Sequence, residues 1–520
     1  MVAHQHTARA VSSDSSRALS ALSRIVIVGG GTSGWLAAAM LCHHLKRELC
    51  EVVLVASEEI GTIGVGESTV PPFVSLLQRL GIDEADFMRA TDATYKLGIQ
   101  FVGWHQQAGK YFHPFGAIGR PIESHEFYQC WLKARANGDS SSLQDFSPCN
   151  VMAESGRFFP PARARNTPIG GANYALHVDA MLAARYLRRY AEQRGLNCIE
   201  GTVNAIKQRA DGTIDALTLS DGREIKGDFF IDCTGFKALL LGQKLGVGMV
   251  DWSEHLPCDR AVAAKSENRD AVLPYTRATA QPAGWSWRIP LGHRTGHGYV
   301  YSSQFCTDEA ARALLARVTD GPAIGAPSVL RFTTGHRREI WKLNCLSLGL
   351  ASGFVEPLEA TSIHLIARGI EFFLRYFPNR ESEPALIREY NRRMVADYEE
   401  VRDFIVLHYC ATAREDSPFW RWCRAMRLPD SLRERIELFK ARGTLREGVD
   451  DLFRGSSWQS VFEGMGIRPS AYCPRVEHLD YTQIATSLKS ARAAIAGMVA
   501  CLPSHDEFLR GQLSGGAGPA

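Results

Sequence analysis

Hydrophobic and polar positions along this chain switch between a period of two and a helical period, and the first switch says most. A β-branched run over 25–28 (IVIV) ends in glycines, and an Ala- and Leu-rich stretch with helical spacing follows. Gly29, Gly31 and Gly34 set out G-x-G-x-x-G in a strand–turn–helix context. There the first glycine permits the tight turn, the second lets the backbone approach a pyrophosphate, and the third lets helix and strand pack closely. Unpaired N–H groups and the dipole at the helix start favour an anion. The pattern predicts a dinucleotide site; a Gly-rich turn of another α/β protein is the plainer alternative.

Residues 51–55 (EVVLV) read as the second parallel strand. The acid that usually holds an adenosine ribose at its end is absent or displaced, because the strand runs into Ala56-Ser57-Glu58. Ser57 or Glu58 is left for that contact. A second glycine cluster, GTIGVGESTVP over 61–71, suits backbone held close to a ligand or a plain turn equally well. Helices are predicted over 72–80 and 84–90. Residues 95–104 (YKLGIQFVGW) alternate as a strand with Leu97, Ile99 and Phe101 on one face and Lys96, Gly98 and Gln100 on the other. A lone lysine on such a polar face is usually only solvated. Residues 105–170 have little period, and 111–115 (YFHPF) read as a pocket-lining or surface loop.

An amphipathic helix is predicted over 177–194, stopped by Gly195, and strands over 201–219. Residues 228–235 (DFFIDCTG) form a second apolar strand with a small-residue turn, and a strand of this kind returning beside the first tilts the cofactor towards FAD. Residues 246–330 are strand-rich with little helical period, and 284–290 (GWSWRIP) place Trp285, Trp287 and Ile289 on one face. A buried strand at 346–350 runs into a turn and a helix to about residue 377. From Pro384 the chain is mostly helical, with Tyr390, Met394, Tyr398, Val401, Ile405 and His408 at helical spacing, a helix capped by Asp430 and stopped near Gly443, and a last helix over 483–502.

Bulk composition narrows the picture little. The 520 residues are 45% apolar and 22% charged with a net charge of +3, which is ordinary for a globular protein with a large core. Basic pairs fall in helical patterns, and no stripe of interleaved aromatic and basic residues suggests nucleic acid. The 13 cysteines show neither C-x-x-C nor metal-ligand spacing, so free thiols in a reducing cytoplasm and no metal site are expected. Residues 1–23 lack the apolar run of a signal peptide and read as a disordered tail, as do 511–520. No run approaches a membrane span.

GGGTSGW, GVGEST, the YK strand, WSWRIP and EPLEATS occur in this order, and in them the chain resembles the flavin-dependent halogenases of the tryptophan halogenase type. W-x-W-x-I-P together with the G-x-G-x-x-G start is highly specific to that family. The likeness runs from about residue 24 to the helices near 422 and more loosely to 510. It implies an α/β, flavoprotein-monooxygenase-like fold: a Rossmann-type FAD module interleaved with a substrate sheet over 24–380 (the sheet mainly in 97–170 and 246–330), then a helical region over 381–510. It implies reduced, freely exchanging FAD from a separate flavin reductase, O₂, and chloride or bromide. Together these yield hypohalous acid, which passes through an internal tunnel to a lysine beside an electron-rich aromatic carbon. A homodimer is implied in the same way.

Motif by motif, the resemblance makes Lys96 the lysine and Glu359 its partner carboxylate. Gly29, Gly31, Thr32, Ser33, Gly34 and Ser57 are matched to FAD, and Gly64, Val65, Gly66 and Glu67 lie along the flavin. The N–H groups of Thr361 and Ser362 hold the halide. His113 and Phe115 line the substrate pocket, and Trp285 and Trp287 stand between flavin and substrate. A lysine ammonium can polarise hypohalous acid, whereas a desolvated neutral amine can form a haloamine; both stay open. A carboxylate can stabilise the cationic ring intermediate and take its proton. The departures are Ala360 where tryptophan halogenases have serine, Ser362 where they have glycine, and a shorter stretch over 443–464 in place of a Tyr/Trp-rich segment that grips the amino acid. Indole or a larger indole-bearing compound is therefore expected rather than free tryptophan. An FAD-dependent aromatic hydroxylase and a non-enzymatic flavin-binding protein are the alternatives.

Overall fold

The computed structural model describes residues 21–57 and 66–513. β1 (Arg24–Val28) lies inside a six-stranded sheet, parallel to β2 (Glu51–Ala56) on one side and to the strand Phe229–Asp232 on the other. Both faces of such a strand are covered, which is why it reads as an unbroken apolar run. The strand Phe229–Asp232 returns beside β1 with Ile25 opposite Phe229 and Val28 opposite Asp232, as its apolar run and small-residue turn predict. α1 (Thr32–His44) leaves β1 through the glycine turn, with Ala37, Ala38 and Ala39 fully buried.

Two further sheets build the other half of the site. β3 (Gly66–Ser68) and β4 (Thr94–Lys96) both pair with a later strand, and β5 (Gly98–Val102) pairs with β6 (Lys110–Pro114). That later strand is β7 (Ala175–Asp179), the centre of the small sheet β3–β7–β4. β5 and β6 form one edge of a seven-stranded sheet whose other strands come from residues 260–331. The alternating stretch 95–104 is thus two strands, not one. It breaks at Leu97, whose N–H donates to the Pro274 carbonyl and whose carbonyl accepts from Phe115. Lys96 sits at the junction of the small and large sheets and is fully buried, so the solvated reading of that face fails.

Other expectations shift for local reasons. Residues 111–114 are strand β6 rather than loop, because they pair with β5. The stretch 105–170 contains the helices Phe127–Ala136 and Pro148–Glu154, and 246–330 contains Asp308–Val318. The helix expected at 177 starts at Ala180, since 177–179 belong to β7. Asp430 is the first helical residue of Asp430–Arg442, with Pro429 in the capping position. The tail read over 1–23 ends earlier: Leu22 is buried and Ser23 hydrogen-bonds Asp228. Residues 511–513 close the helix His505–Leu513 rather than starting a tail. Among the described residues no helix is long and apolar enough to cross a membrane.

Asp179 joins several of these pieces. Its carboxylate accepts the N–H groups of Met181 and Leu182 at the start of the helix Ala180–Glu192 and pairs with the buried Arg294 at 2.6 Å. Burial acts to raise its pKa, but Arg294 and the two N–H groups outweigh burial and lower it. Its stabilisation is therefore complete above the ordinary carboxylate range and is lost as pH falls through the lowered value. Asp179→Ala is predicted to destabilise the fold by about 3 kcal/mol near neutrality, mostly by stranding Arg294. Denaturant midpoints measure this, and the gap to wild type should narrow below about pH 4.

Candidate active site

The glycine turn is shaped by close backbone approach. Gly29 has φ +115°, and a Cβ there would lie 2.3 Å from the Cys233 carbonyl oxygen; a Cβ at Gly34 would lie 1.9 Å from the carbonyl oxygen of Gly29. Gly31 differs, since a Cβ there would meet nothing within 4 Å. It caps α1 without a side-chain hydrogen bond, and the first turn carries no acid. An open glycine at a bare helix start fits a dinucleotide phosphate. Thr32 opens the helix, and Ser33 hydrogen-bonds the Cys233 thiol. Ser57 follows β2, where its hydroxyl accepts from Thr202 at 3.1 Å. Gly66 and Glu67 pair with Asp179 and Val178. Gly64 and Val65 lie outside the described residues, as does Glu58. The residues present fit FAD.

Lys96 ends β4 with no solvent contact. Its Nζ donates to the Thr69 carbonyl at 3.0 Å and lies 4.9 Å from the centre of the Phe115 ring. Burial pulls the ammonium down from 10.5 to about 7, against the opposing charge of Glu359. Near neutrality both protonation states are accessible, as a group that polarises or exchanges a proton requires.

Glu359 ends a short 3₁₀ turn, Pro357–Glu359, and is 1% exposed. His113, on β6, is hydrogen-bonded through Nδ1 to its Oε2 at 2.8 Å. His408, on the long helix Pro384–Cys410, places Nε2 2.9 Å from Oε1. That second approach is close but misaligned, so neither atom completes a hydrogen bond. Burial acts to raise the Glu359 pKa, but His113 and His408 outweigh it and hold the carboxyl down to about 2. Ala360 takes the left-handed conformation at φ +57°, which turns the chain sharply between Glu359 and the helix Ser362–Arg375. A side chain at such a φ is strained by about 1 kcal/mol, a strain common beside functional groups. Thr361 is buried at the capping position and Ser362 is exposed at the first helical position. Neither N–H donates to another protein group among the described residues. Their free donors at a helix start suit a halide.

An open cleft of about 710 Å³ reaches Glu359, with His113, Phe115, Val70, Ile363 and Phe453 in its wall. Trp285 and Trp287 lie on the predicted strand Gly284–Pro290 but are not among the residues lining the cleft. Trp285 donates Nε1 to Glu356 at 3.0 Å, and Tyr409 donates to the same oxygen at 2.6 Å. Burial raises Glu356 to about 7 despite these two donors. Sequence reasoning missed Glu356, Thr69, Tyr111 and His408 as site residues. His408 was hidden in a helical period, where a buried histidine reads as core; Glu356 stood within EPLEATS without a visible partner.

The profile of the tryptophan halogenase family matches residues 24–481. Tryptophan 7-halogenase RebH of Lentzea aerocolonigenes is 32% identical over 94% of this chain and 99% of its own. Among solved structures, Xcc4156, a flavin-dependent halogenase from Xanthomonas campestris, superposes with a TM-score of 0.91 at 45% identity, covering 96% of this chain and 100% of that one. BrvH, a flavin-dependent halogenase from Brevundimonas sp. BAL3, gives a TM-score of 0.91 at 41% identity, covering 94% and 99%. Such enzymes use reduced FAD, O₂ and a halide, and generally take the flavin from a separate reductase. The likeness takes in the glycine turn, both large sheets and the carboxylate turn alike, and this chain belongs to the tryptophan halogenase family as a flavin-dependent halogenase.

Proposed function

We propose that this enzyme halogenates an indole ring, in indole itself or in a compound larger than free tryptophan, with Lys96 and Glu359 carrying the chemistry. The observation that bears most weight is the cleft that ends on Glu359, beside an aromatic wall that also covers Lys96. Bound and reduced, FAD supplies hypohalous acid from O₂ and halide. The N–H groups of Thr361 and Ser362 are the donors assigned to chloride or bromide. Lys96 donates a hydrogen bond to the oxygen of the hypohalous acid, and this polarises the halogen. The Thr69 carbonyl, the Phe115 ring face and Glu359 all favour the charged amine in this role. The ring's electron pair forms the carbon–halogen bond as the halogen–oxygen bond breaks. The oxygen takes the Lys96 proton and leaves as water, and the ring proton passes to Glu359, which restores it to the neutral amine before the next turnover.

Substrate size follows from the rim. The arginines of the cleft wall are engaged by protein groups: Arg79 with Glu371, Arg368 with Asp397, and Arg454 with the carbonyls of Gly448 and Val449. Asp450 pairs with Arg393, and Asp451 accepts the Gly448 N–H. The side chains that would grip a free amino acid's carboxylate and ammonium are thus already engaged by protein groups, while Val449 stands 89% exposed on the cleft wall.

Two outcomes follow. With FAD, a flavin reductase, NADH, O₂ and both halides, mass spectrometry should find a halogen isotope pattern on indole when indole and tryptophan compete. A tryptophan complex with its amino and carboxylate groups held by ordered protein contacts would contradict the substrate reading. Lys96→Met should keep FAD affinity near wild type and cut halogenation by about a hundredfold or more. Full activity in that variant would reject the mechanism, and loss of FAD would make Lys96 structural.

A further inference from the structure

Behind Glu359, away from the cleft, lies a hydrogen-bonded pair that the mechanism above does not use. His408 is fully buried, and its Nδ1 is 2.5 Å from the hydroxyl of Tyr111 on β6. Phe101, on β5, stacks on both rings, with centroids 4.4 Å from His408 and 4.8 Å from Tyr111. The Tyr111 hydroxyl has no other partner among the described residues. It must therefore donate to Nδ1, since its proton has no other acceptor, and the histidine proton is left on Nε2. This assignment follows from the network. It turns Nε2–H, rather than a lone pair, to the side of Glu359 Oε1, 2.9 Å away.

We infer that Tyr111 and His408 are positioning residues: Tyr111 locks the tautomer of His408 so that its Nε2–H holds Glu359 ionised and oriented for the ring proton. The opposite tautomer would set a nitrogen lone pair against the carboxylate oxygen and raise the Glu359 pKa. Among the described residues, four groups face Glu359 or act on it: His113 from β6, His408 from the long helix, Lys96 from β4, and Tyr111 through His408. Burial lowers the pKa of His408 with Glu359 opposing, so the donor works as a neutral imidazole. Tyr111 is buried, and among the described residues the chain of hydrogen bonds ends on its hydroxyl, so the pair is a lock and not a proton exit. The inference rests on Glu359 as the proton acceptor.

The test is single-turnover halogenation of indole by FAD-loaded enzyme after a pH jump to values between 2.5 and 8, which reaches the acid limb of a carboxyl held down to about 2, with FAD affinity and thermal midpoint at each pH as fold controls. Tyr111→Phe keeps the stacked ring and removes only the hydroxyl. It should lower the rate about threefold and move the acid limb of the profile upward, with little change in KM. His408→Leu should lower the rate about tenfold with a shift of about one pH unit, and His408→Gln, which restores a donor, should recover part of both. An acid limb unmoved in Tyr111→Phe and His408→Leu, or equal behaviour of the Gln and Leu variants, overturns the inference. Glu359→Gln separates the two levels. Full activity in that variant removes Glu359 as the acceptor, whereas an inactive Glu359→Gln beside unshifted Tyr111→Phe and His408→Leu removes only the lock.

Discussion

A lysine and a carboxylate buried together constrain the rest of this site. Desolvating an ammonium is costly unless something nearby favours the charge. Lys96 is given a backbone carbonyl, an aromatic face and the field of Glu359, and it still falls to about 7. The strand break at Leu97 delivers it to the junction of two sheets. The left-handed Ala360 follows the turn that presents Glu359, and β6 and the long helix bring the two histidines.

The two glutamates of one turn show how environment divides labour. Glu356 and Glu359 are both fully desolvated, yet the first rises to about 7 and the second falls to about 2. Glu356 receives two neutral donors on one oxygen, which does not offset burial. Glu359 faces two histidines, one on each oxygen. Glu356 thereby ties the strand of Trp285 to the turn, while Glu359 stays an anion at the end of the cleft. Pairs of like groups pushed apart in this way mark separate roles.

What could be read from the sequence were the features set by local period. The glycine turn, the parallel run around β1, the strand of Trp285 and Trp287, and the helix after EPLEATS needed only neighbours a few residues away. The misjudged pieces depended on distant partners. Residues 111–114 became a strand through pairing with β5, and residues 177–179 joined β7 through β3 and β4. Lys96 and Glu359 came from resemblance, since a lone lysine on an alternating strand gives no sign of burial. His408 and Tyr111 are 297 residues apart and meet only through the fold.

The most direct measurement is a ¹⁵N NMR titration of the Lys96 Nζ, assigned against Lys96→Met, in the wild type and in Glu359→Gln. Burial opposite Glu359 predicts titration near 7 in the wild type, shifted lower once the opposing charge is gone. A lysine that titrates near 10.5 and ignores Glu359→Gln would show that the pair is neither desolvated nor coupled, and would contradict the proposed chemistry.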